Sequence, residues 1–202
     1  LKKNLKLICG IIRNWAFQRL LSFDLQMRII KIFIELLAFV PIFIFEMMIF
    51  KLSILVFVLS LIIIHTCFWF LFAPVWYPII CIGELYKNDH KKLISYARQI
   101  KKRISKENDF IIAAALTGSI SRSKMSPYSD IDIIIIRKPG YKNACKALFF
   151  TIKETLRAQK DRIPLELLWS LDTSSVRKET PLIMYDPHKL IQSVCKPYQI
   201  FK

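Results

Sequence analysis

Residues 116–133 read Leu-Thr-Gly-Ser-Ile-Ser-Arg-Ser-Lys-Met-Ser-Pro-Tyr-Ser-Asp-Ile-Asp-Ile. Two carboxylates, Asp130 and Asp132, open an apolar run over 131–136 that is short and unbroken, as a buried strand is. Residues two apart in a strand share a face, so both carboxylates point the same way. Beside an apolar strand such a pair repels and is poorly solvated unless a cation sits between the two. Hard carboxylate oxygens suit Mg²⁺, which commonly joins protein carboxylates to substrate phosphates. Gly118 and Ser119 close a preceding apolar strand over 110–116. A Gly lets backbone approach closely, and amides opening a helix, with a Ser hydroxyl, hold phosphate oxygens. Phosphates beside a metal pair predict phosphoryl or nucleotidyl transfer.

Outward from this stretch the pattern alternates between helix and strand. Leu93, Ile94, Ala97, Ile100 and Ile104 recur at helical spacing and predict an amphipathic helix over about 89–106, with a basic outer face. Residues 141–160 place Cys145, Leu148, Phe149, Ile152 and Leu156 on one helical face, and an apolar strand returns over 163–171. The intervening helix is then a crossover between parallel strands. The expected fold is α/β (α+β), a small mixed-sheet domain. Thr180-Pro-Leu-Ile-Met-Tyr-Asp-Pro predicts a last strand ending in a turn; for Tyr185 and Asp186 ordinary edge packing is expected ahead of an approach to the nucleotide.

Gly-Ser, ten residues and then Asp-x-Asp resembles the signature of minimal nucleotidyltransferases of the DNA polymerase beta superfamily, over roughly residues 108–186. Ser129 and Arg122 fit the same pattern; Ser123 stands where members often have Gly. The resemblance implies a third carboxylate on the next strand, for which Glu166 is the best candidate and Asp172 and Asp161 the fallbacks. It implies that Asp130, Asp132 and Glu166 ligate two Mg²⁺ ions. Gly118 and Ser119 would bind the β- and γ-phosphates of a nucleoside triphosphate, ATP being the expected one, with Arg122 and Lys124 offsetting phosphate charge. Glu166 would also help deprotonate an acceptor hydroxyl, which takes up AMP as pyrophosphate leaves.

The chain of 202 residues is 54% apolar yet 23% charged, with a mean hydropathy of +0.37. Both hold only if the apolar residues are segregated. Residues 52–83 contain no Asp, Glu, Lys or Arg, whereas 84–202 hold 23 Lys/Arg and 12 Asp/Glu. An uncharged run of 32 residues exceeds the roughly 20 that cross a bilayer as a helix. One span is expected near 52–72, with Pro74 and Pro78 marking its kink or exit and Trp69, Trp76 and Tyr77 at the interface. The run over 29–50, interrupted by Lys31, Glu35, Pro41 and Glu46, predicts a second span and a hairpin turning near Lys51. One span behind an interfacial first helix is the competing picture. Residues 1–28 mix Lys and Arg with Leu, Ile, Trp and Phe, as an amphipathic surface helix does. Glu35 and Glu46, eleven residues apart, share a helix face and are expected to reach the headgroups.

The expected organisation is thus a basic amphipathic segment over 1–28, an all-α membrane hairpin over 29–83, a basic linker helix over 84–107 and a nucleotidyltransferase domain over 108–202. Lys and Arg crowd both flanks of the hairpin, so the domain and both termini are expected on the cytoplasmic side of an integral membrane protein. No cleavable signal peptide is expected, and Leu1 in place of Met suits a piece of a longer chain. Five cysteines without a CxxC pair predict reduced packing residues, and three scattered histidines exclude an obvious zinc site. A net charge of +16 suits nucleic acid, anionic membrane lipid or a phosphate-rich substrate equally. A protein side chain, a lipid-linked headgroup or an RNA end are the open choices of acceptor. The alternative function is a membrane-bound module that binds nucleotides for regulation without turning them over.

Overall fold

The computed structural model describes residues 2–18, 20–50, 54–73, 76–82, 87–176, 180–195 and 199–201. The expected hairpin turn at Lys51 and the kink at Pro74 lie outside them. The chain begins with three helices: α1 (Lys2–Phe17), α2 (Leu25–Phe50) and α3 (Ile54–Phe72). Next come α4 (His90–Ile104), β1 (Ile111–Thr117), the one-turn α5 (Gly118–Ser121), β2 (Ile131–Arg137), α6 (Tyr141–Lys160) and β3 (Leu165–Ser170). β4 (Leu182–Tyr185), α7 (Leu190–Val194) and the two-residue β5 (Gln199–Ile200) complete it.

The sheet order is β3-β2-β1-β4-β5. β1 runs antiparallel to both β2 and β4. β2 and β3 are parallel, joined by α6 as the expected crossover, and β4 and β5 are parallel. Alternation along β2 divides the sheet. Ile131, Ile133 and Ile135 face the larger core with α4 and α6, whereas Ile134 and Ile136 face a smaller cluster with Val176, Ile183 and Ile191.

Leu93, Tyr96, Ala97, Ile100 and Ile104 bury the inner face of α4 in the same core as the sheet. Asp89 caps its N-terminus by accepting from the Lys91 amide, and Lys101, Lys102 and Arg103 complement its C-terminal dipole. Buried Glu154 of α6 binds Arg103 at 2.7 Å and also pairs with Arg157, so α4 and α6 are held by a satisfied carboxylate.

The buried face of α6 differs from the expected one. Ala144, Ala147, Leu148, Thr151, Glu154, Thr155 and Ala158 are buried, while Cys145, Phe149 and Leu156 are exposed. The helix carries two candidate stripes, and the one rich in Ala and Thr packs inward because α6 also receives α2 and α3. Small side chains let three layers approach closely. Of the five cysteines, Cys195 is buried and Cys9, Cys67 and Cys145 are exposed, so packing accounts for few of them.

Helices α2 and α3 are long and apolar enough to cross a membrane. Their contacts pair the first half of α2 with the second half of α3, and the second half of α2 with the first half of α3. Glu35 meets His65 at 2.6 Å, Glu46 meets Ser60, and Phe43 packs on Phe57 at 5.7 Å. The two helices are therefore antiparallel, with Pro41 accommodated inside α2. Their outer surface is apolar: Phe33, Leu36, Phe45, Met48, Ile54 and Ile63 are all exposed. Glu35 and Glu46 share a face, as the spacing requires, but bond across to α3 instead of reaching outward. A carboxylate in an apolar surface is costly alone, and a partner on the next helix is the nearer remedy.

The base of the hairpin is docked on the mixed-sheet domain. Phe23, Met27 and Phe72 join the larger core, and the Gln159 side chain donates to the Phe70 and Ala73 carbonyls at 2.6 and 3.2 Å. Trp76 donates to the Gln159 carbonyl at 3.0 Å.

Candidate active site

Asp132 stands in β2 directly opposite Thr117 of β1 and Glu166 of β3. Register partners on adjacent strands share a face, so Asp132 and Glu166 project together. This is the face of Ile134 and Leu168, opposite the larger core. Asp130, two residues earlier, lies on the same side of the chain. All three carboxylates line one cavity of about 440 Å³, together with Thr117, Gly118 and Arg122.

Electrostatics ties the three together. Burial pushes Asp130 above its ordinary value, and the charge of Glu166 adds to the rise. Tyr77, on the cavity wall, is pushed up to about 12 by burial first, then by Asp130, with Glu166 and Asp132 also contributing. Cys81 is raised by burial and the same three carboxylates.

Gly118 is held by geometry. Its φ is +73°, and an added Cβ would sit 2.3 Å from Asp132 Oδ2, so the β1 turn abuts the carboxylate with no room for a side chain. Gly118→Ala is expected to displace Asp132. A misplacement of about 1 Å at a reacting centre costs about a hundredfold in rate. The check is turnover of a variant whose circular dichroism matches wild type; unchanged turnover contradicts the close fit. Next to Gly118, the Ser119 hydroxyl is buried and has no hydrogen-bond partner among the described residues. Ser123 has φ +53°, the left-handed region that Gly enters freely, which gives a conformational reason for Gly at this position in relatives of the pattern.

The remaining expected residues divide. Arg122 is exposed and lines the cavity, whereas Lys124 does not; its amide instead binds the Ser119 carbonyl at 3.0 Å. Ser129 is buried and receives the Ser126 amide at 2.8 Å, fixing the loop that leads into Asp130. Asp172 accepts from the Ser174 amide at 2.8 Å in a turn, and the Asp161 backbone caps α6. Neither lines the cavity, so Glu166 is the third carboxylate that the fold brings forward. Asp186 caps α7 by accepting from the Leu190, Ile191 and Gln192 amides at 2.7, 2.9 and 3.1 Å, a structural role, though a cap in place of the edge packing expected of it.

Residues 97–183 match the nucleotidyltransferase domain family. The matched stretch opens inside α4 and ends in β4, so it takes in β1, β2, the crossover and β3. No curated protein and no solved structure matches the chain. Nucleotidyltransferase domains of this family generally use divalent metals and nucleoside triphosphates. Among the described residues no three His, Cys, Asp or Glu side chains are already gathered closely enough to hold a metal. A Mg²⁺ held by one or two carboxylates, with phosphate oxygens completing its shell, needs no such cage. The orphaned Ser119 hydroxyl and the space beside Asp132 fit a triphosphate approaching two carboxylates.

The nucleotidyltransferase domain does not form its cavity alone. Leu21 and Ser22, between α1 and α2, line it with Tyr77, and the Ser22 hydroxyl donates to Glu166 Oε1 at 2.8 Å. Sequence reasoning missed these residues. Ser22 lies 144 positions from Glu166, and no local pattern marks it.

Proposed function

We propose that the chain is a membrane-anchored nucleotidyltransferase that moves a nucleoside monophosphate, AMP being the expected one, from a nucleoside triphosphate to an acceptor hydroxyl. The observation that carries this reading is the meeting of Asp130, Asp132 and Glu166 with Gly118 in one cavity of a nucleotidyltransferase domain. In the proposed reaction Asp130, Asp132 and Glu166 would hold two Mg²⁺ ions, which would supply charge neutralisation for the triphosphate and activation of the acceptor hydroxyl. Gly118 and Ser119 receive the β- and γ-phosphates, Arg122 offsets their charge, and Lys124 contributes at longer range. Glu166 accepts the acceptor's proton.

The proposed organisation is a surface helix over 1–28, a membrane hairpin over 29–83, a basic helix over 84–107 and the transferase domain over 108–202, with domain and termini on the cytoplasmic side. Two exposed apolar helices support it. One observation favours a second reading, a nucleotide-binding regulatory module: the Ser22 hydroxyl occupies one oxygen of Glu166.

The test combines carbonate-washed membranes with a screen of the four nucleoside triphosphates on detergent-solubilised protein, following binding and pyrophosphate release. Retention in the pellet with Mg²⁺-dependent release supports the enzyme. Tight binding without release supports the module, and release into the wash contradicts the anchor.

Asp130 also sets a pH dependence. Its value in the folded protein lies above the ordinary 3.8, so ionising it opposes folding. The stability gained by keeping it protonated is fully present below 3.8 and is lost as pH rises through the raised value. A bound divalent cation offsets that loss, by about 2.7 kcal/mol at a hundred times its Kd. Mg²⁺ is expected to raise the Tm more at pH 8 than at pH 5, and Asp130→Asn to remove the difference. An equal Mg²⁺ effect at both pH values in wild type contradicts this.

A further inference from the structure

A second cavity, of about 220 Å³, adjoins Glu166 on the side of α1. It shares Leu21, Ser22, Tyr77 and Glu166 with the first, and its far wall is α1, through Arg13, Asn14 and Phe17. α1 is seated here by Gly10, which is buried against Ile82; an added Cβ would lie 2.5 Å from the Ile82 Cδ1. Asn14 is held in place by Trp69, which donates to its Oδ1 at 3.4 Å. Arg13, by contrast, has no ion pair or hydrogen bond among the described residues, though it faces a cavity that ends at a carboxylate. The opposite side of α1 exposes Leu5, Ile8 and Ile12 at helical spacing, an apolar stripe suited to the bilayer surface.

We infer that this second cavity is the acceptor subsite, and that it takes a phosphate-bearing alcohol. The inference rests on the nucleotidyl-transfer reading and names its substrate class. The Arg13 guanidinium, whose fork matches phosphate oxygens, holds the acceptor's phosphate. Phe17 and Leu21 flank its apolar portion. Its hydroxyl then reaches Glu166, where Ser22 holds one carboxylate oxygen and leaves the other for the proton. The hydroxyl proton passes to Glu166 and the acceptor oxygen bonds to the α-phosphorus. The bond from that phosphorus to the α,β-bridging oxygen breaks, and its electron pair leaves on pyrophosphate. The apolar stripe of α1 favours a membrane-resident source of this chemistry, a phospholipid headgroup with a free hydroxyl; a soluble sugar or polyol phosphate offers the same groups.

The test supplies α-labelled nucleoside triphosphates to full-length protein with phosphatidylglycerol vesicles, phosphatidylcholine vesicles, glycerol 3-phosphate or glycerol. Label is expected on phosphatidylglycerol or glycerol 3-phosphate and not on phosphatidylcholine or glycerol. Lipid-extractable label identifies the membrane source and water-soluble label the free phosphate. Arg13→Gln is expected to raise the acceptor KM about ten- to a hundredfold, as loss of a charge-assisted hydrogen bond does. The KM for nucleotide should hold, and Arg13→Lys should restore part of the loss. Calorimetric titration of glycerol 3-phosphate and phosphatidylglycerol vesicles into metal-free protein reads the pocket independently, with binding lost in Arg13→Gln. Equal labelling of glycerol and glycerol 3-phosphate, an acceptor KM unchanged by Arg13→Gln, or calorimetry insensitive to Arg13 overturns the inference. Failure of the parent reading looks different: no nucleotide binds and no pyrophosphate forms with any acceptor, while the calorimetry still judges the pocket.

Discussion

Asp132→Asn is expected to abolish pyrophosphate release while leaving the fold intact. Asp132 sits at the centre of the candidate site, opposite Glu166 on one side and Thr117 on the other, with the Gly118 turn pressed against its carboxylate. An amide keeps the shape and removes the charge. Metal-borne stabilisation of a transferring phosphoryl group is worth several kcal/mol, so its loss lowers kcat by about a thousandfold or more. Asp130→Asn should act in the same direction. Because burial and the Glu166 charge already disfavour ionised Asp130, that variant should also gain thermal stability in the absence of metal. Activity falling while metal-free stability holds or rises distinguishes a functional carboxylate from a structural one. A variant retaining a tenth or more of wild-type release contradicts the assignment.

The largest stability effect is expected at the join between hairpin and domain. Arg137, the last residue of β2, is fully buried. Its Nε and Nη2 bind the Asp24 carboxylate at 2.8 and 2.7 Å, and Nη2 also reaches Gln26 Oε1 at 2.9 Å. Nη1 binds the Lys138 carbonyl at 2.8 Å. Asp24 directly precedes α2 and also accepts from the Met27 amide at 3.2 Å, so one carboxylate caps the hairpin's first helix and anchors it to the sheet. Removing one partner of a buried pair leaves a charge without compensation and costs about 3–5 kcal/mol. Asp24→Ala and Arg137→Ala are each expected to lower stability by that amount in detergent, measured by thermal or denaturant unfolding. Joint replacement by Asn and Met should cost less than either single change. A loss below about 0.5 kcal/mol, the level of an ordinary surface change, contradicts the clamp.

Much of this architecture was legible in the sequence because its signals are local. The continuous Ile run of β2, the paired Asp130 and Asp132, and the crossover length of 141–160 each follow from residues within one element. So does the segregation of charge that marks the hairpin. Other features depend on contacts that no window contains. The buried face of α6 does not follow from its own apolar stripe, because the approach of α2 and α3 selects Ala144, Ala147 and Ala158 for the inside. β5 carries too short a pattern, two residues, to stand out. The spacing of Glu35 and Glu46 puts them on one face, but their partners, His65 and Ser60, lie on the next helix. At the site, Glu166 came from the family pattern and register supplies its reason, since it is the β3 residue opposite Asp132. Ser22, Arg13 and Tyr77 carried no signal of their own. They reach the cavity because the helices dock on the sheet domain through Phe23, Met27 and Phe72, the Gln159 bonds and the Arg137–Asp24 clamp.

A nucleotidyltransferase site moves the α-phosphoryl group together with its nucleoside. Parallel reactions with α-labelled and γ-labelled nucleoside triphosphate, in Mg²⁺ and with membranes present, test it most directly. In wild type, α-label is expected to become attached to the acceptor while γ-label leaves entirely as pyrophosphate, and Asp132→Asn is expected to do neither. Transfer of γ-label to the acceptor, or nucleotide cleavage unchanged in Asp132→Asn, would contradict it.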